Sequence, residues 1–256
     1  MACQAEWMAP PRVDKLLANL GYGSRADIRV LLRNGRVTAG GEVVRDPSAK
    51  YEPSTVLVDG EPLDTPGSVF VAIHKPVGYV CSHDDRDGIP VYRLLPGRWT
   101  ERNPAPTTVG RLDKDSSGLL LVTDIGPTVH LLTSPKHHVD KHYTVTLDRE
   151  PGADVDRLAE VFAAGTLVVE GSPCRPAVLR SLEGTQVEVV LTEGRHRQVR
   201  RMLSALGYEV TDLVRTSMGP YALGDLAPGE WRHEDPELVV TNRSLSSRPA
   251  PDESPH

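Results

Sequence analysis

Residues 110–126, GRLDKDSSGLLLVTDIG, set an arginine, two closely spaced aspartates and two serines directly before a run of aliphatic residues. A carboxylate at such a boundary can be an ion-pair partner, a metal ligand or a reacting group. Asp113, Asp115, Ser117 and Gly118 match positions one, three, five and six of a calcium-binding helix–loop–helix, and Asp124 falls at position twelve. Three features argue against calcium. Position twelve asks for a bidentate Glu, and Asp is shorter. The preceding RNPAPTTVG carries two prolines where a helix is needed. The following LLLV has the look of a strand. For Asp115, Asp124, Ser116 and Ser117, turn formation or an ordinary ion pair is a sufficient reading.

Asp113 is set apart by its company at a distance. The chain has no phosphate-cradling glycine loop, no dinucleotide fingerprint, no zinc-type His–Glu spacing and no nucleophile elbow. Cys3, Cys81 and Cys174 are too far apart for a metal spacing and suggest no disulfide framework. Any chemistry must run on side chains alone, without metal or cofactor. Polar groups concentrate beside strand-like runs in three places: GRLD at 110–113, DKHYTVTL at 140–147 and EGRHRQVRRM at 193–202. His137, His138 and His142 lie near the second, but adjacent histidines point in different directions, so surface or RNA contact is expected of them rather than zinc.

The elements that must position these groups are legible in the periodicity. Val13, Leu16, Leu17 and Leu20 fall on one helical face, with Gly21 as a stop and Ser24 as the N-cap of a second helix. That helix carries Ile28, Leu31 and Leu32 on one side and Arg25, Arg29 and Arg33 on another. RVTAGGEVV then reads as a hairpin turning at Gly40–Gly41. DGEPLDTPGS at 59–68 is a turn-rich candidate linker. Beyond it come strand-like VFVAIHKP, GLLLVTD, KHYTVTL, QVEVVLT and YEVTDLVR, with helical DVDRLAEVFAAG and RQVRRMLSALG between them. The expected fold class is α+β, with a small α/β N-terminal unit before a larger domain. A flexible N-terminus is expected over 1–10, the small domain over 11–66, the larger over 67–241 and a disordered tail over 242–256.

The net charge of −6 argues mildly against a nucleic-acid partner, but the distribution argues the other way. Arg12, Lys15, Arg25, Arg29, Arg33 and Arg36 crowd the first helices, and RHRQVRR at 195–201 holds four arginines without an acid. No stretch approaches the roughly 20 apolar residues of a membrane span. The opening MACQAEWMAPPRVDK lacks the layout of a secretory signal, so a reducing cytoplasm is the expected compartment.

Five segments, in order over roughly residues 12–235, resemble the pseudouridine synthases that modify ribosomal RNA. GRLDKDSSGLLLVTDIG is similar to their active-site motif, KHYTVTL to their Lys-x-Tyr strand and EGRHRQVRRML to their basic third motif. HKPVGYVCSHDDRDGIPVYRLLP resembles the Lys-Pro-x-Gly strand and loop that opens their catalytic domain. The N-terminal unit resembles the S-four-type RNA-binding domain often found in front of it. GYVCSHDD and SPKHH look most like the branch acting on small-subunit rRNA.

The resemblance implies a catalytic domain built on a mixed, mainly antiparallel sheet with flanking helices, and an activity that turns a specific uridine into pseudouridine. It implies that Asp113 is the single catalytic carboxylate, Tyr143 the active-site tyrosine and Arg200 the basic group held against Asp113. It also implies that Arg111 helps displace the target nucleotide. Arg12, Lys15, Arg25, Arg29, Arg33, Arg195, Arg197 and Arg201 are then expected at the RNA, and Lys75–Pro76 is expected to shape the first strand. One carboxylate suffices for such an isomerase, because the leaving base is retained and no water is activated, unlike in a glycosidase. The expected partner is ribosomal RNA or an assembling subunit, met by a monomer. The rival expectations are a large-subunit rRNA synthase, a non-catalytic ribosome-associated RNA-binding protein, and a nucleoside hydrolase using the same carboxylate with water.

Overall fold

A computed structural model describes residues 9–238. The expected flexible N-terminus thus lies almost wholly outside the described residues, and the expected tail wholly outside them.

In the small N-terminal unit, α1 (Val13–Asn19) and α2 (Arg25–Arg33) bury the anticipated faces, Val13, Leu16 and Leu17 from the first and Ile28 and Leu32 from the second. Ser24 caps α2 in a reciprocal box: its side chain accepts from the Asp27 N–H, and the Asp27 carboxylate accepts from the Ser24 N–H. β1 (Val37–Ala39) and β2 (Glu42–Val43) form the hairpin, with φ of 58° at Gly40 and 88° at Gly41, a pair of positive angles that a tight turn of this kind requires. β3 (Val56–Val58) and β4 (Glu61–Pro62) complete a sheet of order β2-β1-β3-β4 over a core running from Val13 to Leu63.

The first half of the expected 59–68 linker is therefore a strand edge of this unit. Its second half is anchored as well. Trp99 Nε1 donates to Asp64 Oδ2 at 3.1 Å, and the buried Arg102 guanidinium donates to the carbonyls of Thr65 and Gly67. In the same segment Arg98 stacks over the Tyr22 ring at 4.0 Å, and the Asn103 N–H donates to Asn19 O at 2.9 Å. The 97–103 segment thus joins the two units by hydrogen bonds and a cation–π contact.

The larger unit runs through β5 (Phe70–Lys75), β6 (Tyr79–Val80), β7 (Ile89–Pro90), β8 (Thr107–Thr108), β9 (Ser117–Thr123) and α3 (Gly126–Thr133). It continues through β10 (Lys141–Leu147), α4 (Val155–Ala164), β11 (Val168–Val169), β12 (Ser172–Pro173), β13 (Val178–Ser181) and β14 (Gln186–Leu191). It closes with α5 (Gln198–Ala205), β15 (Val210–Met218), β16 (Tyr221–Ala222) and β17 (Trp231–His233). Seven strands follow the order β13-β14-β10-β15-β9-β5-β17, with β8 added on β9 and β16 on β15. Only the β9–β15 pairing in this sheet is parallel. The class is the expected one: α+β, with a mixed and mainly antiparallel sheet.

The unbroken apolar runs of β5 and β9 follow from burial on both faces. Val71, Ile73, Leu120 and Val122 face a core shared with Leu158 and Phe162 of α4 and with Val199, Met202 and Leu203 of α5. Phe70, Ala72, Leu119 and Leu121 face a second core that includes Leu132 of α3. Helix α3 is not anticipated from the sequence, because its apolar side chains do not gather on one face. Among the described residues no helix is long and apolar enough to cross a membrane.

Candidate active site

The 110–116 turn leads from β8 into β9, and its shape is imposed from outside. Lys75, at the end of β5, is completely buried and donates through Nζ to Asp113 O at 2.9 Å, Ser116 O at 2.6 Å and Pro76 O at 3.1 Å. One ammonium thereby fixes both ends of the turn, and the Ser116 N–H donates back to Asp113 O at 3.1 Å. Cys81 clasps the outer side, with its Sγ 3.4 Å from the Leu112 N–H and 3.5 Å from Leu112 O. The structural role expected for Lys75 is thus specific: it holds the backbone from which the Asp113 side chain projects.

Strand register brings the remaining groups alongside. Lys75 pairs with Gly118, Gly118 with Arg215, Arg215 with Tyr143 and Tyr143 with Val189, one transverse row across β5, β9, β15, β10 and β14. Gly118 has φ of 103°, and a methyl group there would collide with the backbone of Arg215, so only glycine lets β9 approach β15 this closely. Opposite the His142–Tyr143 step the register slips by one residue, leaving Thr216 unpaired. Such a bulge re-aims the strand next to a site.

These elements wall a cavity of about 740 Å³ lined by Asp113, Tyr143, Arg111, Arg197, Lys141 and Arg215, among others. Asp113 is half-buried, Tyr143 is 8% exposed and Arg111 is exposed at the rim. Among the described residues Arg111 makes no hydrogen bond or ion pair, leaving its guanidinium available. The calcium constellation does not assemble: Asp124 lies at the opposite end of β9, 3.6 Å from Arg102, and accepts from the Val69 N–H. No cluster of three or more metal-ligating side chains occurs among the described residues.

Arg200 departs from expectation. Its guanidinium is not against the Asp113 carboxylate; it donates to Asp115 O at 2.8 Å and Val210 O at 2.7 Å, with Nε 3.5 Å from the Asp115 carboxylate. It lies outside the cavity wall, because Asp115 stands between α5 and the turn while Asp113 faces inward. Arg197 takes the same carboxylate in a fork, Nη1 to Oδ1 at 3.0 Å and Nη2 to Oδ2 at 2.8 Å. Burial alone would raise the pKa of Asp115, but these two arginines outweigh it and hold the carboxyl below its ordinary value. Positive charge still reaches Asp113 at longer range, from Lys75 and Arg197.

The basic residues fall into two groups. Arg25, Arg29, Arg33 and Lys15 are exposed and free of ion pairs among the described residues. The others expected at the RNA, apart from Arg111, have partners. Arg12 pairs with Asp14 at 2.8 Å, and Arg201 with Glu170 at 2.8 Å. Arg195 donates to the carbonyls of Val169, Ser172 and Pro173 and pairs with Glu193. RHRQVRR looks free of acids only along the chain; in space Asp115 and Glu170 reach it.

Arg215 escapes the sequence reading, and Lys141 enters it only as the lysine of the Lys-x-Tyr strand, with no role of its own. Arg215 is 2% exposed on β15 and has one hydrogen bond, Nε to Leu119 O at 2.8 Å. Lys141 is drawn down to about 8, first by burial and then by the positive charge of Arg215. The detectable signal was an arginine and a lysine inside strand-like runs, where apolar residues are the norm.

The RNA pseudouridylate synthase family matches residues 69–205, and the S4 domain matches residues 11–57. The chain is 42% identical to ribosomal small subunit pseudouridine synthase A of Escherichia coli (strain K12), over 90% of this chain and 99% of that protein. It is 37% identical to an uncharacterized RNA pseudouridine synthase of Bacillus subtilis, over 90% and 98% of the two chains. Among solved structures, a pseudouridylate synthase superposes with a TM-score of 0.62 at 30% identity, covering 91% of this chain and 99% of the other.

Proposed function

The chain belongs to the RNA pseudouridylate synthase family, and from that premise we propose that it isomerises a specific uridine of small-subunit ribosomal RNA, with Asp113 as its one catalytic carboxylate. The observation that carries the reading is the convergence of Asp113 and Tyr143 on one cavity whose rim holds unpaired Arg111. In the reaction the bond between C1′ and N1 breaks, the base turns, and C1′ joins C5; the C5 proton leaves and N1 gains one. No atom is gained or lost overall, so a second carboxylate to direct water is not needed.

Each side chain has a part in this scheme. Asp113 acts on the ribose or the base, its backbone held by Lys75. Tyr143 offers a ring face to the extruded uracil and a hydroxyl for proton transfer. Arg111 fills the space that the nucleotide leaves, offsetting an extrusion that costs a few kcal/mol. Arg200 and Arg197 act at one remove, clamping Asp115 and so the turn that carries Asp113. Lys15, Arg25, Arg29 and Arg33 lie along the RNA backbone as an S-four-type domain, proposed to span residues 11–66, docks beside the catalytic domain of 67–241. The enzyme works as a cytoplasmic monomer on rRNA or an assembling subunit.

The test is to map pseudouridines in ribosomal RNA from cells with and without this protein. Loss of modification at one small-subunit uridine is expected. Loss confined to large-subunit RNA would favour the other subunit, and an unchanged map would contradict the proposal.

A further inference from the structure

We propose that Arg215 binds the carbonyl oxygens of the extruded uracil and takes up the negative charge that the base acquires when its bond to the sugar breaks. This rests on the pseudouridine synthase reading and adds a substrate-contacting residue to it.

Arg215 is 2% exposed, lines the cavity and makes a single hydrogen bond, to Leu119 O. Its Nη2 is fully buried without any hydrogen-bond partner, and no carboxylate lies within ion-pair distance among the described residues. Burying a guanidinium without a counter-ion destabilises a fold unless something else compensates. Lys75 and Lys141 add to that cost, being close enough for their positive charges to act on it. A cationic floor of this kind is prepared for electron-rich oxygen.

Position decides which oxygen. The phosphates of an extruded nucleotide stay near the rim, where Arg111 and Lys114 are exposed. Arg215 instead is buried and sits directly opposite Tyr143 in the β10–β15 register, beside the ring proposed to meet the base. When C1′–N1 breaks, the bonding pair goes to N1 and its charge spreads to O2 and O4. A guanidinium donating to either oxygen is worth more as that charge grows, and so lowers the barrier rather than merely tightening binding. Rejoining at C5 returns the pair to a C–C bond as the C5 proton departs and N1 is protonated.

The test uses the full-length protein and a transcript carrying the mapped uridine, with Arg215→Met and Arg215→Lys. Arg215→Met is expected to lower the single-turnover rate about a hundredfold or more. Arg215→Lys should fall between the two, while RNA affinity stays near that of the unaltered protein. The melting temperature of Arg215→Met should hold or rise, since an unpaired buried charge is removed; a purely structural arginine would lower it. A near-normal rate for Arg215→Met would overturn the proposal. Should that variant fail to melt cooperatively, the unaltered enzyme is tried on transcripts whose target O2 or O4 is replaced by sulfur, a weaker acceptor. Slower turnover with one of the two is expected, and equal rates on all three would overturn the assignment. If the unaltered enzyme makes no pseudouridine on any rRNA, the functional reading fails and this inference falls with it.

Discussion

The Arg197 guanidinium grips the Asp115 carboxylate through two parallel hydrogen bonds, 3.0 and 2.8 Å long, across 82 residues of chain. Forked pairs of this kind fix direction as well as distance. Here the fork ties the start of α5 to the turn that carries Asp113.

Breaking that fork should disturb catalysis more than folding, because both partners keep partial access to water. Asp115→Asn is expected to lower the single-turnover rate roughly tenfold or more, with a shift of only a few degrees in melting temperature. Unchanged rates in a quenched time course would show that the turn holds itself.

Removing the Lys75 ammonium takes a buried donor from the carbonyls of Pro76 and Ser116 and leaves Asp113 O with the Ser116 N–H alone. Lys75→Met should cost about 3 kcal/mol of stability and most of the activity. Urea denaturation followed by circular dichroism measures the first, and a loss under about 1 kcal/mol would count against the clamp.

At Gly118 an added methyl has nowhere to go, since the Arg215 backbone occupies its place and φ is positive. Gly118→Ala is expected to destabilise by about 2 kcal/mol or more. A wild-type urea midpoint would mean that β9 and β15 can part more easily than their register implies.

Lys141 titrates at about 8 in the folded chain, against 10.5 when unperturbed, and Arg215, Asp140 and Glu193 are the charged groups that act on it. Because its folded pKa is depressed, the unfolded chain holds the proton more tightly between these values. Stability from this group therefore rises as pH climbs from about 8 toward 10.5. The charge it offers the cavity runs the opposite way, present below about 8 and lost above. RNA affinity, measured by filter binding, should accordingly weaken above pH 8, and Lys141→Arg should abolish that step. A pH profile that Lys141→Arg leaves unaltered would assign the step elsewhere.

Replacing Arg25, Arg29 and Arg33 together by Gln should reduce the slope of log affinity against log salt by about 2–3, since the three proposed phosphate contacts would cease to release counterions. An unaltered slope would remove α2 from the RNA face.

Much of this was legible along the chain. The faces of α1, α2, α4 and α5 follow from apolar spacing, the α2 cap from Ser24 and the first hairpin from Gly40–Gly41. What escaped has a common cause. The pairing of Arg197 and Arg200 with Asp115 and the Arg201–Glu170 pair are set by how distant elements pack together, which no local pattern encodes. Asp113 and Asp115 differ by two residues and look alike in sequence, yet one faces the cavity and the other α5. The guanidinium expected against Asp113 belongs in the fold to Asp115. Helix α3 escaped for a different reason: with both faces partly apolar, it carries no period to detect.

Conversion of a small-subunit rRNA transcript by Asp113→Asn, compared with the unaltered protein, bears most directly on the central claim. The substitution keeps the shape of the side chain and removes its charge. Pseudouridine is expected to fall below detection while RNA binding and the melting temperature stay near their original values. Product formed at an undiminished rate by Asp113→Asn would contradict the account.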